Sequence, residues 1–318
     1  MKAENKPNYD NNRSKLADII PLDTPFTVYI EQTRYCNFKC FYCIHSTRDD
    51  EYGEFKKLGY DIKSMSIDTA KYIVNELKKF PNKLKRIVFS GLGEPLANPN
   101  LPEIIEIFAK NDLSDRIEVI TNGLFLNKEL IDKLTKSGLT NINISIQGIS
   151  SQRYFETCGV KVDIDNLIEN LTYLYNNKDN IQIYIKAIDD TLKSKEEEDM
   201  FYKMFGNICD RIYIEHLIVM QQSMDENLSS KVDKTKNFYG EYLDDTRKVC
   251  SQSFYFMQIG CDGDIFPCPV PGLPRSMSMG NINENSIVDI WNGDKRKEFL
   301  LGMLRFEKDK YDACKNCT

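Results

Sequence analysis

The stretch Arg34-Tyr-Cys-Asn-Phe-Lys-Cys-Phe-Tyr-Cys43 contains three cysteines, Cys36, Cys40 and Cys43, at the spacing C-x3-C-x2-C. Three thiolates this close together can hold three irons of a four-iron cluster and leave the fourth iron open to a ligand that is not protein. A zinc site is the alternative, although structural zinc prefers four ligands in two pairs. A disulfide framework is less favoured, because such short adjacent spacings rarely form one in a chain of this size.

The composition excludes some classes of function. The 318 residues are 41% hydrophobic and carry a formal net charge of -6. This acidic balance disfavours nucleic acid as the main partner, since no basic field is available to neutralise phosphates. No apolar run reaches the length of a membrane span, and the first twelve residues carry no apolar signal region. We therefore expect a cytoplasmic protein, with no nucleic acid and no membrane as partner, in which ten cysteines indicate metal or redox chemistry.

Between residues 25 and 217, short β-branched runs alternate with helical patterns. Six strands are predicted, at Thr27–Ile30, Arg86–Phe89, Ile117–Ile120, Asn141–Ile146, Ile181–Ala187 and Arg211–Ile214. Five helices are predicted between them, at Ile67–Phe80, Leu101–Lys110, Lys128–Ser137, Asp163–Asn176 and Lys195–Phe205. Such alternation predicts an α/β fold with a parallel sheet, because each helix carries the chain back to start a parallel neighbour.

Six βα units form either a partial barrel or an open doubly wound sheet, and in both folds function gathers at the C-terminal ends of the strands. Polar or cysteine-rich signals follow five of the six predicted strands: the cysteine triplet, Ser90–Pro95, Thr121–Gly123, Gln147–Gly148 and Glu215–His216. Packing alone does not explain that placement. The candidate site is therefore expected at this end of the sheet.

The remaining segments suggest four parts. Residues 1–26 are predicted to be a leader segment, residues 27–217 the βα domain, and residues 218–249 a polar linker with a single helix. Residues 250–318 hold five of the ten cysteines. A hairpin is predicted there around Cys261-Asp-Gly-Asp264, followed by helices at Ile287–Trp291 and Lys295–Arg305.

The cysteine triplet, with Tyr42 before its third cysteine, resembles the signature of radical S-adenosylmethionine (SAM) enzymes. The resemblance implies a partial (β/α)6 TIM-type barrel and a [4Fe-4S] cluster on Cys36, Cys40 and Cys43. The amino and carboxylate groups of SAM chelate the open iron in that family. One electron, from a low-potential donor such as flavodoxin or ferredoxin, then cleaves SAM to methionine and a 5′-deoxyadenosyl radical that abstracts a substrate hydrogen.

The stretch Gly91-Leu-Gly-Glu94 resembles the family's glycine-glycine-glutamate motif, which holds the SAM amino group. Leu92 stands where the family has a glycine, so the contact falls mainly to Gly93 and Glu94. Glycines let the backbone approach a ligand, and a carboxylate faces an ammonium. A simple turn is the alternative. Further positions resemble SAM- or ribose-contacting residues, with ordinary strand-end polar groups as the alternative: Thr121, Asn122 and Ser145.

The C-terminal part resembles the auxiliary-cluster domain of the SPASM/twitch group, a small α+β domain. Its matching positions are Cys250, Gly263, Cys268, Gly280–Ile282, Ile290–Asn292, Cys314 and Cys317. A complete SPASM domain has seven cysteines and two clusters. The four matching cysteines here imply one fully protein-ligated [4Fe-4S] cluster, which makes two clusters in the chain. A four-cysteine zinc site is the alternative.

The remaining cysteines bear on the reaction. Cys158, interpreted as part of a loop after the fourth strand, and Cys261 are candidates for the thiol that returns a hydrogen atom in radical SAM epimerases. Cys209 is expected to be an inert core residue. A dehydrogenase needs no thiol, because the auxiliary cluster accepts the second electron while a base removes a proton. Glu215 and His216 are candidate bases, and structural hydrogen bonds are the alternative for both.

The substrate class follows from the resemblance. Peptide-modifying relatives often carry a leader-binding module of roughly eighty residues, for which the first segment is too short. The shortened auxiliary domain resembles that of family members acting on cyclitols and aminoglycosides. We therefore expect dehydrogenation or epimerisation of a sugar-like or aminocyclitol substrate. Two alternatives remain: modification of a ribosomally made peptide, and a non-catalytic iron–sulfur or zinc-binding protein.

Overall fold

The structure is a computed structural model that describes residues 1–9, 13–218, 232–243, 248–315 and 317. The strands are β1 (Glu4–Asn5), β2 (Thr27–Ile30), β3 (Arg86–Phe89), β4 (Ile117–Thr121), β5 (Asn141–Ile146), β6 (Gln182–Ile188), β7 (Arg211–Glu215), β8 (Phe256–Ile259), β9 (Asp264–Phe266) and β10 (Gly280–Asn281). Each predicted strand of the βα region is present, with boundaries that agree to within one residue.

The seven helices whose bounds were predicted are present, and the structure contains further short helices that the apolar spacing did not predict. The helices are α1 (Glu54–Lys57), α2 (Ile67–Leu77), α3 (Leu101–Lys110), α4 (Lys128–Lys136), α5 (Ser151–Cys158), α6 (Ile164–Asn177), α7 (Lys195–Phe205), α8 (Gln252–Tyr255), α9 (Ile287–Trp291), α10 (Asp294–Leu304) and α11 (Asp312–Lys315). Short 3-10 turns lie at Leu16–Asp18, Ile44–Thr47, Pro95–Ala97, Asp189–Thr191, Arg275–Met277 and Lys308–Lys310. Among the described residues, none of the helices has the length and apolar character needed to cross a membrane.

The strands form one sheet in the order β1-β7-β6-β5-β4-β3-β2-β8-β9-β10. From β3 to β7 each strand pairs in parallel with the strand that precedes it in the chain. A doubly wound sheet reverses its strand order at a switch point, and this order does not reverse. The predicted partial barrel of βα units is thus confirmed.

Alternating residues give the sheet two different faces. Val28 and Ile30 are fully buried in the apolar core that the helices cover. The opposite face is polar: Asn143 donates to the Glu118 carboxylate at 2.6 Å, and Glu118 is fully buried. Such a polar interior is suited to binding a hydrophilic ligand rather than to filling the barrel with apolar side chains.

The C-terminal part continues the same sheet. Strand β8 pairs in parallel with β2, and the predicted hairpin is confirmed by the antiparallel pairing of β8 with β9. The Trp291 indole donates to the Leu22 carbonyl oxygen at 2.9 Å, and its ring packs on Phe80. The cysteine-rich region therefore packs directly against the barrel. The bounds of the four parts remain predictions.

The structure places Cys158 and the predicted leader differently from the sequence-based interpretation. Cys158 does not lie in a loop: it is the last residue of α5, which Ser150 caps and Gly159 ends in a left-handed conformation. The predicted leader contributes the edge strand β1, which pairs with β7, and buries Ala3. The helix expected in the linker falls mostly on residues 219–231 and 244–247, outside the described residues.

Candidate active site

The cysteine triplet follows β2 and wraps through one turn. Cys36, Cys40 and Cys43 are free thiols of intermediate burial, and the Cys43 amide donates to the Cys40 carbonyl oxygen at 2.9 Å. Burial raises the pKa of Cys36 to about 12, the Phe38 amide lowers it, and Cys43 is close enough to raise it further. Binding of a metal or cluster would displace these protons.

The triplet fits a cluster better than a single ion. Among the residues that the structure describes, no group of three or more His, Cys, Asp and Glu side chains is arranged to hold one metal ion. The thiolates of a single zinc site all lie about 2.3 Å from one point, whereas the sulfurs around a cluster bind different irons. Three thiols on one turn match three corners of a [4Fe-4S] cluster.

The C-terminal end of helix α5 is hydrogen-bonded to the cysteine loop. The amides of Lys39 and Phe41 donate to the carbonyl oxygens of Cys158 and Thr157, at 2.9 and 3.0 Å. Tyr42 donates its hydroxyl proton to Gln147 Oε1 at 2.6 Å, at the end of β5. The loop is therefore fixed to the strand end and to the helix that follows it.

The Gly91–Glu94 loop is in close contact with the segment that precedes the cysteine triplet. A Cβ atom on Gly93 would lie 2.3 Å from the Thr33 carbonyl oxygen, so only glycine fits there. The Leu92 amide donates to Glu31 at 3.1 Å. Burial lowers the pKa of His45 to about 4, so its neutral ring can donate to the Leu92 carbonyl oxygen at 2.8 Å.

Glu94 follows β3 and is buried among hydrogen-bond donors. Its Oε1 accepts protons from the Thr121 hydroxyl and the Leu96 amide, and its Oε2 accepts from the Asn122 amide at 2.8 Å. Burial raises the pKa of Glu94 to about 6, although these three donors lower it. The structure thus brings Thr121 and Asn122 together with Glu94, and one lone pair on Oε2 stays available to a bound ammonium.

A cavity of about 140 Å³ opens at the C-terminal ends of β5 and β6. It is lined by Tyr42, Ser145, Ile146, Gln147, Lys186, Ala187, Ile188, Leu217, Ile218 and Phe238. Ser145 and Lys186 lie opposite each other in the register of β5 and β6. The sequence singled out Tyr42 and Ser145 as cofactor-contacting positions and Gln147 as a strand-end polar signal, but it missed Lys186 and Phe238 as lining residues. A lysine inside an otherwise apolar strand was the signal that could have revealed Lys186.

The two candidate bases have different surroundings. Glu215 is buried beside the cavity, accepting from the Tyr184 hydroxyl at 2.9 Å and from Lys186 Nζ at 2.7 Å. Burial raises the pKa of Glu215, and Lys186 opposes that shift. His216 is held instead by structural contacts, since Nδ1 lies 2.6 Å from Asp189 and Nε2 lies 3.1 Å from the Asp233 carbonyl oxygen. Both ring nitrogens of His216 therefore have a partner within the protein.

The four C-terminal cysteines converge. Burial raises the pKa of Cys268, and the nearby thiols of Cys250, Cys317 and Cys314 raise it further, while the Val270 amide lowers it. The Cys317 amide donates to the Cys314 carbonyl oxygen at 3.2 Å. Four thiols within electrostatic reach of one another are the ligand set of a fully protein-ligated cluster and also of a four-cysteine zinc site, although no three of these described cysteines are arranged around one metal ion.

Cys261 stands apart from both cysteine groups. Its side chain is buried in the hairpin, and its sulfur lies 3.6 Å from the Lys63 carbonyl oxygen. Its amide donates to Glu31 at 3.3 Å. Neither Cys261 nor Cys158 is among the described residues that line the cavity.

Residues 30–194 match the family model described as the radical SAM superfamily, which is more than half of the chain. The chain belongs to the radical SAM superfamily. Residues 250–318 match the SPASM iron–sulfur cluster-binding domain. The predicted radical SAM enzyme with a C-terminal SPASM-type domain is confirmed, and with it the predicted cofactors: a [4Fe-4S] cluster, SAM and auxiliary iron–sulfur ligation.

The curated relatives of this radical SAM protein align with different lengths of the chain. The probable GTP 3′,8-cyclase of Methanococcus vannielii is 33% identical over 181 residues, which is 57% of this chain and 56% of that protein. The match thus spans little more than half of the relative. The S-adenosyl-L-methionine-dependent 2-deoxy-scyllo-inosamine dehydrogenase of Niallia circulans is 23% identical, over 92% of both chains.

Solved structures share the fold. BtrN in complex with AdoMet and 2-DOIA superposes with a TM-score of 0.58 and 20% identity, covering 92% of both chains. SuiB of Streptococcus suis bound to the precursor peptide SuiA superposes with a TM-score of 0.64 and 17% identity, covering 95% of this chain and 73% of SuiB. At these identities the similarity shows a shared fold and nothing more.

Proposed function

We propose that this radical SAM enzyme dehydrogenates a small sugar-like substrate of the aminocyclitol class. The proposal rests on similarity over almost the whole length of the chain. The alignments with the 2-deoxy-scyllo-inosamine dehydrogenase and with BtrN each cover 92% of this chain and 92% of the other protein. Since function lies in the site rather than in the fold, the pocket must have matching chemistry.

The cavity offers that chemistry. Its volume of about 140 Å³ is close to that of an engineered cavity of about 150 Å³ that binds benzene, so a six-membered ring fits. Ser145, Gln147 and Lys186 supply donors and acceptors for hydroxyl groups, and Phe238 supplies an apolar face. A few polar groups in a partly aromatic pocket are typical of small-molecule sites.

Two observations favour dehydrogenation over epimerisation. Epimerisation needs a thiol beside the substrate, yet Cys158 packs behind the cysteine loop and Cys261 packs on Lys63. Dehydrogenation needs a proton acceptor instead, and Glu215 lies 2.7 Å from Lys186, which lines the cavity. Both side chains of this ion pair are largely buried. Lys186 can therefore pass a proton from the substrate hydroxyl to the Glu215 carboxylate.

The proposed residue roles follow from this geometry. Cys36, Cys40 and Cys43 hold the SAM cluster, and Gly93 with Glu94 holds the SAM amino group. Oxidation of a carbinol to a carbonyl removes one hydrogen atom, one proton and one electron. The bound cofactors supply the hydrogen-atom abstraction and take up the electron. Lys186 hydrogen-bonds the substrate hydroxyl, and Glu215 receives the proton through it.

The test is an anaerobic assay of the reconstituted enzyme with SAM, dithionite and a panel of aminocyclitols and amino sugars. We expect a product two mass units lighter than its substrate, formed with an equal amount of 5′-deoxyadenosine and without deuterium uptake from D2O. Deuterium at one carbon of a product of unchanged mass would replace dehydrogenation by epimerisation. Reaction with a precursor peptide alone would overturn the substrate class.

A matched pair of variants tests the role of Lys186. Lys186→Met should lower product formation by about 100-fold, while 5′-deoxyadenosine still forms without product. Lys178 is the control, because both lysine side chains are 16% exposed, pair with a carboxylate and lie over an aromatic ring. Lys178→Met, outside the cavity lining, should keep the wild-type ratio of product to 5′-deoxyadenosine. Equal losses in both variants would remove Lys186 from the mechanism.

A further inference from the structure

We propose that His216 is a positioning residue that fastens one wall of the cavity and so holds Phe238 against Lys186. The wall is carried by residues 233–243, which we call the wall segment. His216 is the candidate base that the proposed dehydrogenation leaves without a part. The inference rests on the proposed function in one respect, the role of Lys186 in the cavity.

The wall segment has an inner and an outer side. It turns back on itself between Asn237 and Glu241, where the Asn237 amide donates to the Glu241 carbonyl oxygen at 2.8 Å. Phe238, in this turn, lines the cavity. Tyr242, just after it, is 76% exposed. The same short segment therefore presents one aromatic ring to the cavity and another to solvent.

His216 ties the wall segment to the end of β6. Its Nε2 lies 3.1 Å from the Asp233 carbonyl oxygen, and its backbone amide donates to the Phe238 carbonyl oxygen at 2.9 Å. Its Nδ1 lies 2.6 Å from Asp189, the residue that follows β6. Both ring partners are acceptors, so the ring bridges them as a double donor, with a proton on each nitrogen.

Phe238 carries this fastening into the cavity. Lys186 Nζ lies over its ring, 4.9 Å from the centroid, and 2.7 Å from Glu215. An aromatic face attracts an ammonium group, most strongly where water is excluded. The ring thus keeps the ammonium of Lys186 beside the carboxylate, where the proposed proton transfer needs it.

A second contact limits what the loss of the His216 ring would do. The Tyr213 hydroxyl donates to the Tyr239 carbonyl oxygen at 2.9 Å, and the backbone bond from His216 to Phe238 does not depend on a side chain. Removal of the imidazole should therefore loosen the wall segment without releasing it. Lys186 should become more accessible while the sheet beneath it stays folded.

The first test measures how well Lys186 is covered. The reconstituted enzyme is acetylated with acetic anhydride in the absence of substrate, and mass spectrometry gives the rate at Lys186 relative to Lys178. Lys178 is an internal reference, because both side chains are 16% exposed and paired with a carboxylate. His216→Ala should raise this ratio about tenfold, since labelling follows the population of the loosened segment. An unchanged ratio would overturn the inference.

Further variants make this test specific. Phe238→Ala should raise the ratio as well, and the double variant with His216→Ala should add nothing, because the histidine acts through that ring. Asp189→Ala removes one ring partner at a side chain that is 41% exposed. It should give a smaller rise and keeps the test available if His216→Ala folds poorly. Tyr242→Ala should leave the ratio unchanged, and a rise equal to that of His216→Ala would overturn the inference.

The second test uses turnover of an aminocyclitol that the wild type oxidises. His216→Ala should lower the amount of product per 5′-deoxyadenosine about tenfold, because SAM is still cleaved while Lys186 is misplaced. A merely structural defect would lower both amounts in parallel, and that result would overturn the inference. Acetylation needs neither substrate nor SAM, so failure of the proposed dehydrogenation would leave the first test decisive.

Discussion

Arg34 Nη2 lies 2.7 Å from Asp262 Oδ1, and this ion pair joins the loop of the cysteine triplet to the C-terminal hairpin. The same guanidinium lies 2.9 Å from Glu31 and stacks over the Tyr60 ring at 4.1 Å. Only 2% of the Arg34 side chain is exposed. Glu31 in turn accepts from the Leu92 amide. One buried arginine thus connects the triplet, the glycine loop and the cysteine-rich region.

Arg34→Met should lower the free energy of unfolding by about 3–5 kcal/mol, because the buried Glu31 carboxylate loses its arginine and Asp262 keeps only the half-exposed Arg275 as an ion-pair partner. Chemical denaturation of the iron-free protein measures this. Arg305→Met is the control, since Arg305 is 56% exposed and lies 3.6 Å from Glu298. Exposed pairs contribute at most about 1 kcal/mol. A loss below that value for Arg34→Met would contradict the connecting role.

The Glu118 carboxylate makes stability depend on pH in a defined direction. Burial raises its pKa, but Arg86 and Arg116 outweigh that effect and leave the pKa below the ordinary value of 4.5. Its contribution to stability is therefore complete above pH 4.5 and is lost as the pH falls through the lowered pKa. The wild-type protein should be more stable than Glu118→Gln by about 3–5 kcal/mol at pH 7.

That difference should shrink as denaturation is repeated from pH 7 to pH 3 on cluster-free protein. Glu129→Gln serves as the comparison, because Glu129 forms an exposed pair with Lys133. Its effect should stay small at every pH. A Glu118→Gln difference that does not change with pH would rule out the ionised carboxylate as the source of the stability.

Gly93→Ala should weaken SAM binding at least tenfold while the triplet keeps its iron. The added Cβ would lie 2.3 Å from the Thr33 carbonyl oxygen and 2.5 Å from that of Tyr35, so the loop must move. Anaerobic equilibrium dialysis with labelled SAM measures the affinity. Gly240→Ala has no atom within 4 Å of its Cβ and a φ of +77°; it should cost only about 1–2 kcal/mol of stability and leave SAM binding intact. Normal SAM affinity in Gly93→Ala would exclude this loop from the SAM site.

The strands and most helices could be predicted because their signals are local. The alternation in Asn141–Ile146 and the Asn127 cap of α4 each depend on a few neighbouring residues. Helix α5 was missed because its sequence is mostly polar, although Ser150 before it and Gly159 after it were available as end signals.

The contacts of the site could not be predicted in the same way. The partner of Lys186 is 29 residues away, and that of His216 is 27 residues away. Sequence periodicity does not specify such pairs, because they form only when the sheet brings distant strand ends together. Phe238 was missed for a related reason, since it lies in a segment whose polar composition predicted a linker.

Iron, sulfide and zinc per chain after anaerobic reconstitution test the central claim most directly. We predict about eight irons and eight sulfides in wild type. About four irons should remain in the Cys36/Cys40/Cys43→Ala variant, and about four in the Cys268/Cys314/Cys317→Ala variant. Zinc without sulfide at the triplet would contradict the radical mechanism. Zinc confined to the C-terminal cysteines would remove the electron acceptor that the proposed dehydrogenation requires.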